Sequence, residues 1–141
     1  MKTLTFSQEP TFAELWDACV HLIYNDAEPL ARDIENLFQK LGVSKDSEIV
    51  DVAAGSGFPA LALVKDGYRV TCTDGAADEV ALFNRKAKEY NLTVSCDQVL
   101  WSSLPNRSKR ILSTSCSVVA TRSFMLPADG MKCARWIQRN P

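Results

Sequence analysis

The sequence contains no apolar run of about 18 residues, the length that a membrane-spanning helix requires. Its first ten residues are polar, so we expect no signal peptide. These two absences exclude the usual membrane and secretory classes. We therefore expect a cytoplasmic protein that does not bind membranes.

The sequence also lacks the residue patterns that metal sites and disulfide frameworks usually require. His21 is the only histidine and lies among apolar neighbours, which favours a packing or surface role over that of a catalytic base. The cysteines are odd in number and include no Cys-x-x-Cys pair; they are Cys19, Cys72, Cys96, Cys116 and Cys133. We expect buried or incidental thiols and no metal site.

The chain has 141 residues, which fits one domain with enough apolar content for a core, and it contains no internal repeat. Its net charge of −1 is the sum of two segments with opposite charge. Residues 1–105 hold 9 Lys and Arg against 16 Asp and Glu, a charge of about −7, whereas residues 106–141 hold 7 against 1, about +6. The chain therefore changes character near Asn106.

Residues 49–59 form the segment around which the chain is organised. The first residues are rich in β-branched side chains, which predicts a buried parallel strand. Gly55 and Gly57 then allow a sharp turn and the close approach of a ligand to the backbone. Pro59 suits the first turn of a following helix. Alone, this pattern also fits a plain connection between a strand and a helix.

Two further predicted strands are followed by acidic residues. The strand at 69–73 precedes Asp74, roughly 20 residues after the glycines, where α/β nucleotide-binding folds place an acid that accepts hydrogen bonds from ribose hydroxyls. A third apolar strand at 92–95 precedes Asp97. Because open α/β sheets bind ligands at the carboxyl ends of their strands, we expect these acids and the glycine turn to share one edge.

Four helices are predicted around these strands. The first begins with a capping box from Thr11 to Glu14. The others cover residues 29–41, 59–65 and 77–90, and the basic cluster of the last is expected to be a solvated face. Apolar residues follow the capping box at helical spacing, and we expect most of them to contact the core: Phe12, Leu15, Trp16, Cys19, Leu22 and Ile23.

The chain resembles the class I S-adenosylmethionine-dependent methyltransferases, closest to the small-molecule branch that includes glycine and sarcosine N-methyltransferases. The resemblance covers about residues 12–105 and rests on three segments: Asp51-Val-Ala-Ala-Gly55-Ser-Gly57, Cys72-Thr-Asp74, and the stretch from Asp97 to Pro105. Many members carry a third glycine in the loop, where this sequence has Ala53 at the start and Pro59 at the end. The resemblance implies an α/β fold with a Rossmann-like doubly wound parallel sheet, present as its N-terminal half with two N-terminal helices.

The same resemblance implies S-adenosyl-L-methionine as cofactor and methyl transfer to a small molecule, an amine being one acceptor class. Asp51 would hold the cofactor amino group directly or through water, Asp74 the ribose hydroxyls and Asp97 the adenine amino group. The cofactor-binding residues that it implies are Tyr24, Asp51, Ala53, Gly55, Gly57, Asp74, Gly75, Asp97 and Gln98. Each acid also fits a helix-capping or turn role. No catalytic residue is identified, because a direct displacement needs alignment and exclusion of water rather than a metal or a covalent nucleophile.

The tail departs from the family. After Pro105 the family pattern requires a fourth strand and then a Cys-Arg-Gly-Asn-Ser-like loop, but residues 108–117 are serine-rich and basic without strand alternation. With one choice of codons, regrouping the bases of residues 110–126 one position earlier gives Thr-Asn-Phe-Val-Asp-Val-Val-Leu-Cys-Arg-Gly-Asn-Ser-Phe-Ile-Tyr, followed by an alanine-type codon. We therefore hypothesise that residues 1–105 are an incomplete methyltransferase domain, and that 106–141 are an out-of-frame, poorly ordered tail. Sequencing the locus would test this.

Three alternative functions remain. One is a non-catalytic module that binds S-adenosylmethionine or a nucleotide. Another is a fragment of an NAD-dependent oxidoreductase, against which Ala60 stands where the third glycine of that motif is expected. The third is nucleic-acid binding by the basic tail, which lacks interleaved aromatic residues. We expect a small-molecule substrate and no nucleic-acid partner.

Overall fold

The computed structural model describes residues 9–24, 27–103 and 117–120. The elements in chain order are α1 (Phe12–Tyr24), α2 (Ala27–Leu41), β1 (Glu48–Asp51), α3 (Ala60–Lys65), β2 (Arg69–Asp74), α4 (Ala77–Glu89), β3 (Cys96–Gln98), a 3-10 turn (Trp101–Ser103) and β4 (Ser117–Ala120). This is a partial Rossmann-like α/β fold with two N-terminal helices, which confirms the predicted fold class.

The four strands form a parallel sheet in the order β3-β2-β1-β4. Asp51 at the end of β1 pairs with Cys72 on one side and with Ala120 on the other. From β1 the chain therefore builds the sheet outward through β2 and β3, and then places β4 on the opposite side of β1. The strand order reverses at β1, so the carboxyl end of β1 is the topological switch point of the sheet.

Three helices end in the same way, and two of these ends have the expected glycine. After α2, Gly42 has φ +72°, and the Val43 N–H donates to Phe38 O at 2.9 Å. After α3, Gly67 has φ +92° and Tyr68 N–H donates to Leu63 O at 3.0 Å. These are Schellman caps, in which a residue in the left-handed region satisfies the last helical carbonyls. The predicted stops at Gly42 and Gly67 are confirmed.

The third cap explains why the predicted strand at 92–95 is wrong. Asn91 has φ +55°, and Leu92 N–H donates to Ala87 O at 2.9 Å, so Leu92 belongs to the cap of α4. Leu92 and Val94 still pack against the core. Strand β3 begins at Cys96 instead.

Strand β4 was not predicted, because Ser117–Ala120 shows no alternation of polar and apolar residues. It forms through its register with β1, a long-range pairing that no local pattern contains. The other residues of the predicted tail, 106–116 and 121–141, lie outside the described part of the chain. The domain boundary at residue 105 and the frameshift hypothesis remain predictions.

The core contains two clusters of buried residues. One comprises Ala54, Ala60, Leu61, Cys72, Phe83, Ala87 and Cys96. The other comprises Ala31, Phe38, Ile49, Leu63 and Tyr68. Ile49 is in register with Val70, and Cys72 with Cys96, so the two clusters share one face of the sheet. Helices α2, α3 and α4 supply the residues that cover this face.

Helix α1 presents a different face from the one expected. The capping box is confirmed, since Thr11 N–H donates to Glu14 Oε2 at 3.0 Å and Glu14 N–H donates to Thr11 Oγ1 at 3.2 Å. However, Phe12 is 69% exposed and Leu22 and Ile23 are each 68% exposed. The prediction that this apolar stripe contacts the core is therefore wrong.

The buried residues of α1 are Ala13 and Val20 instead. Among the described helices, none has the length and apolar character that would let it cross a membrane.

Candidate functional site

The glycine loop, residues 52–59, leaves β1 at the switch point of the sheet. Asp51, the last residue of β1, accepts a hydrogen bond on Oδ1 from Ala53 N–H at 3.3 Å. Ala54 N–H donates to the carbonyl of Thr73 at 3.1 Å. The loop is thus attached to the ends of both β1 and β2. Ala53 lies half-buried in the turn between them.

Asp74 ends β2 and is directed at this loop. Its Oδ2 accepts a hydrogen bond from Gly55 N–H at 2.8 Å, and its Oδ1 accepts one from Ala76 N–H at 2.9 Å. The side chain is buried, and Gly55 has φ +55°, a conformation that glycine adopts without strain. The predicted convergence of Asp74 with the glycine turn is therefore observed. Each carboxylate oxygen still has a lone pair for a further donor.

Gly57 has a packing reason to be glycine. Its φ is +92°, and a Cβ placed on it would lie 2.7 Å from the Leu61 side chain and 2.9 Å from Phe83. The loop therefore rests directly on α3 and α4 at this point. Contact between Gly57 and a cofactor remains a prediction.

Strand β3 brings Gln98 to the same edge. Gln98 is in register with Asp74, and its Nε2 donates to the carbonyl of Gly75 at 3.3 Å. Val99 N–H donates to Asp74 O at 2.8 Å. These bonds place Gly75 and Gln98 beside the predicted ribose acid.

Asp97 has a different position from the one expected. It lies within β3 in register with Thr73, rather than in a turn after the strand. Because successive residues of a strand point to opposite faces, its exposed side chain lies across the sheet from Asp74 and Gln98. A role for Asp97 in binding adenine remains a prediction.

The edge is electronegative. Burial and, to a smaller extent, nearby carboxylates together raise the pKa of the Cys96 thiol to about 12; these carboxylates belong to Asp74, Asp51, Asp97 and Glu79. Burial also raises the pKa of Cys72, with Asp51 as the next cause. Both thiols are therefore protonated at neutral pH, and the carboxylates of Asp51 and Asp74, at the ends of β1 and β2, both act on Cys96.

The end of α1 lies over the loop. The ring of Tyr24 is 5.9 Å from that of Phe58, and the ring of His21 meets Phe58 edge-on at 4.9 Å, measured between centroids. Phe58 belongs to the glycine loop and is buried. The predicted packing role of His21 is confirmed. Tyr24 is placed against the loop through Phe58, and its contact with a cofactor remains a prediction.

A polar cluster that the sequence did not predict joins α1, the loop and α4. Asp17 Oδ1 accepts a short hydrogen bond from the Ser56 hydroxyl and one from Lys86 Nζ at 2.8 Å. His21 Nε2 lies 3.8 Å from the same oxygen. Lys86 is only 8% exposed. The expectation that the basic cluster of α4 forms a solvated face is therefore wrong for Lys86.

A second ion pair accompanies it. Arg85 Nη2 lies 2.8 Å from Glu14 Oε1, and this bond lowers the pKa of Glu14 and raises that of Arg85. Asp78 Oδ2 accepts a hydrogen bond from Ala13 N–H at 3.3 Å.

The sequence did contain a signal that Lys86 would be buried. Four residues of α4 follow the i, i+3, i+4, i+7 spacing of a core stripe: Glu79, Leu82, Phe83 and Lys86.

Across residues 9–24, 27–103 and 117–120, no three His, Cys, Asp or Glu side chains are grouped so that they could hold a metal ion. No protein-family model matches the chain, and no curated protein matches it.

Two solved structures have limited similarity to the chain. One comes from work on the conversion of a disulfide bond into a thioacetal group during echinomycin biosynthesis; it is 27% identical over 43% of this chain and 25% of its own, with a TM-score of 0.38. The other is the MccD protein, 22% identical over 45% of this chain and 29% of its own, with a TM-score of 0.41. The chain thus spans less than a third of the length of either. With TM-scores this low, the fold assignment depends on strand order and register.

Proposed function

We propose that the chain binds S-adenosyl-L-methionine at the carboxyl edge of its sheet and descends from a methyltransferase that acts on small molecules. The observation that carries this proposal is the 2.8 Å hydrogen bond from Gly55 N–H to Asp74 Oδ2 at the switch point. It joins a glycine turn after the first strand to an acid after the second, at the position where open α/β sheets bind nucleotides.

The charge of the edge favours this cofactor over NAD. S-adenosylmethionine carries a sulfonium and an ammonium group, and both are attracted to the carboxylates of Asp51 and Asp74 at the ends of β1 and β2. The pyrophosphate of NAD carries two negative charges and would be repelled by the same carboxylates. Ala60 also replaces the third glycine of the dinucleotide motif.

The residues at the edge fit the parts of this cofactor. In this proposal the Asp74 carboxylate accepts from ribose hydroxyls, Asp51 holds the amino group, and Gln98, in register with Asp74, offers an amide to the adenine. When bound, the cofactor supplies an electrophilic methyl group. The contribution of the chain is to align that group with its acceptor and to exclude water, and Tyr24 of α1, which packs on Phe58 of the loop, could assist in this.

An amine is the acceptor class that the family resemblance favours. A non-catalytic module that only binds the cofactor is the second candidate. This second candidate is favoured by the composition of the predicted site. Every residue in that site is predicted to bind the cofactor, and none is predicted to bind an acceptor.

Isothermal titration of the full chain with S-adenosylmethionine tests the proposal. We expect binding, and at least about tenfold weaker binding by Asp74→Asn, which is about 1.4 kcal/mol. Asp33→Asn, an exposed position on α2, is the matched control and should bind normally. Stronger binding of NAD, or equal affinity of Asp74→Asn, contradicts the proposal.

Transfer of a labelled methyl group to a panel of small amines separates the two candidates. Measurable transfer supports the enzyme. Cofactor binding without transfer to any acceptor supports the binding module.

A further inference from the structure

A concave site lies apart from the strand-end acids of the carboxyl edge. It is a cavity of about 370 Å³ bounded by α1, α2, α3, α4 and the glycine loop. Of the predicted cofactor residues, only Gly57 lines it. Its volume lies within the range of roughly 300–1,000 Å³ that small-molecule sites occupy.

The wall of the cavity is mostly apolar and partly aromatic. Phe58, Leu61 and Leu92 supply apolar surface, and Tyr90 adds a second ring. Such a wall suits the ring of a small aromatic compound, because aromatic pairs gain from edge-on and offset contacts beyond the area that they bury.

The polar group that defines the ligand is Lys86. Its ammonium has three N–H donors, and the structure gives it one acceptor, Asp17 Oδ1 at 2.8 Å. Among the described residues it has no other acceptor, although the residue is more than nine-tenths buried and lines the cavity. The ammonium therefore keeps N–H donors beyond the one that Asp17 accepts, and an acceptor inside the cavity could bind them.

The other charged residues of the cavity wall decide which sign of charge the ligand should carry. Glu28 and Lys65 also line the cavity, but they lie 3.5 Å apart and offset each other. His21 can donate a further hydrogen bond. Asp17 pairs with Lys86 but does not itself line the cavity, so among the described lining residues Lys86 is the charged group without a partner on the wall. The complementary group is an anion, and a carboxylate accepts charge-assisted bonds from an ammonium.

We propose that this cavity binds a small aromatic carboxylic acid, with the carboxylate on Lys86 and the ring against Phe58 and Leu92. This site does not depend on the proposed cofactor. It would contact the glycine loop through Gly57 and Phe58.

Equilibrium dialysis of the full chain against phenylacetate and phenylacetamide tests the charge requirement without any substitution. The two probes have the same ring and nearly the same shape, and only the acid is charged. We expect the acid to bind at least about tenfold more tightly. Equal affinities, or no binding of the acid, would overturn the proposal.

Two variants then locate the site. Ala62→Phe places a ring in the cavity from α3 and should abolish binding of phenylacetate. Lys88→Met removes an exposed lysine from the same helix as Lys86 and should leave binding unchanged. Circular dichroism confirms that each variant is folded. Retained binding by folded Ala62→Phe, or loss of binding in folded Lys88→Met, would place the acid elsewhere and refute the assignment.

Discussion

Helices α1 and α2 both have an apolar stripe, but only α2 buries it. In α2 the stripe packs onto the sheet, with Ala31 and Phe38 buried and the ring of Phe38 5.5 Å from that of Tyr68. In α1 the stripe is exposed, and the opposite face contacts α4 through Asp17 and Glu14. Apolar periodicity therefore identifies the packed face of α2 but not that of α1. On α4, Arg85 and Lys86 select the other face of α1.

The largest expected loss of stability concerns the apolar packing of α2 on the sheet. Phe38→Ala removes a ring that is 3% exposed and leaves a cavity beside Tyr68. We expect the free energy of unfolding to fall by about 3–5 kcal/mol. Urea denaturation measures it. A loss below about 1 kcal/mol would show that α2 is not held by this contact.

A smaller loss of stability is expected at the ion pair between Asp17 of α1 and Lys86 of α4. Lys86→Met keeps the aliphatic stem but leaves the Asp17 carboxylate without its ammonium. We expect a loss of about 2–3 kcal/mol, below the value for a fully buried pair because the Asp17 side chain is 18% exposed. The double variant Asp17→Asn with Lys86→Met should recover part of this loss in urea denaturation. No recovery would mean that the lysine acts through its stem alone.

The exposed ion pair should appear mainly in the pH dependence. The bond to Arg85 and the Thr11 N–H lower the pKa of Glu14 below its ordinary 4.5. Its contribution is therefore full above about pH 4.5 and is lost as the pH falls through the lowered value.

In urea titrations across this acid range, Glu14→Gln should have a flatter pH profile than the unmodified chain. Glu9→Gln, an exposed position ahead of the capping box, is the control and should keep the original profile. Identical slopes for Glu14→Gln and the unmodified chain would contradict a role for this pair.

The smallest effect is expected at the exposed stripe. Phe12→Ala makes the same chemical change as Phe38→Ala, but at a side chain that is 69% exposed. We expect the free energy of unfolding to change by no more than about 0.5 kcal/mol. A loss comparable to that of Phe38→Ala would show that the stripe is buried in solution and would remove the contrast between the two helices.

The parts of the fold that were predictable have local causes. Gly42 and Gly67 end their helices because each occupies the left-handed region, and β1 and β2 carry the β-branched residues of buried parallel strands. The start of β3 was missed because Asn91 substitutes for glycine in the cap of α4. Strand β4 and the packed face of α1 depend on contacts between distant residues, which no local pattern encodes.

In the candidate site, too, some features were predictable from the sequence and others were not. The approach of Asp74 to the glycine turn was predictable, because the carboxyl ends of adjacent parallel strands meet at one edge. The position of Asp97 was not, because a shift in the start of a strand moves a side chain to the other face. The cluster of Asp17, Ser56 and Lys86 joins three elements, and only its Lys86 left a signal in the sequence.

The bond between Gly55 and Asp74 provides a natural spectroscopic reporter. An amide proton held by a carboxylate resonates far downfield, and its frequency follows the charge on that carboxylate. Any molecule that draws electron density from Asp74 would therefore move one well-separated peak in a two-dimensional nitrogen–proton spectrum. Occupancy of the sheet edge could then be followed on the unmodified chain, without a label on the ligand.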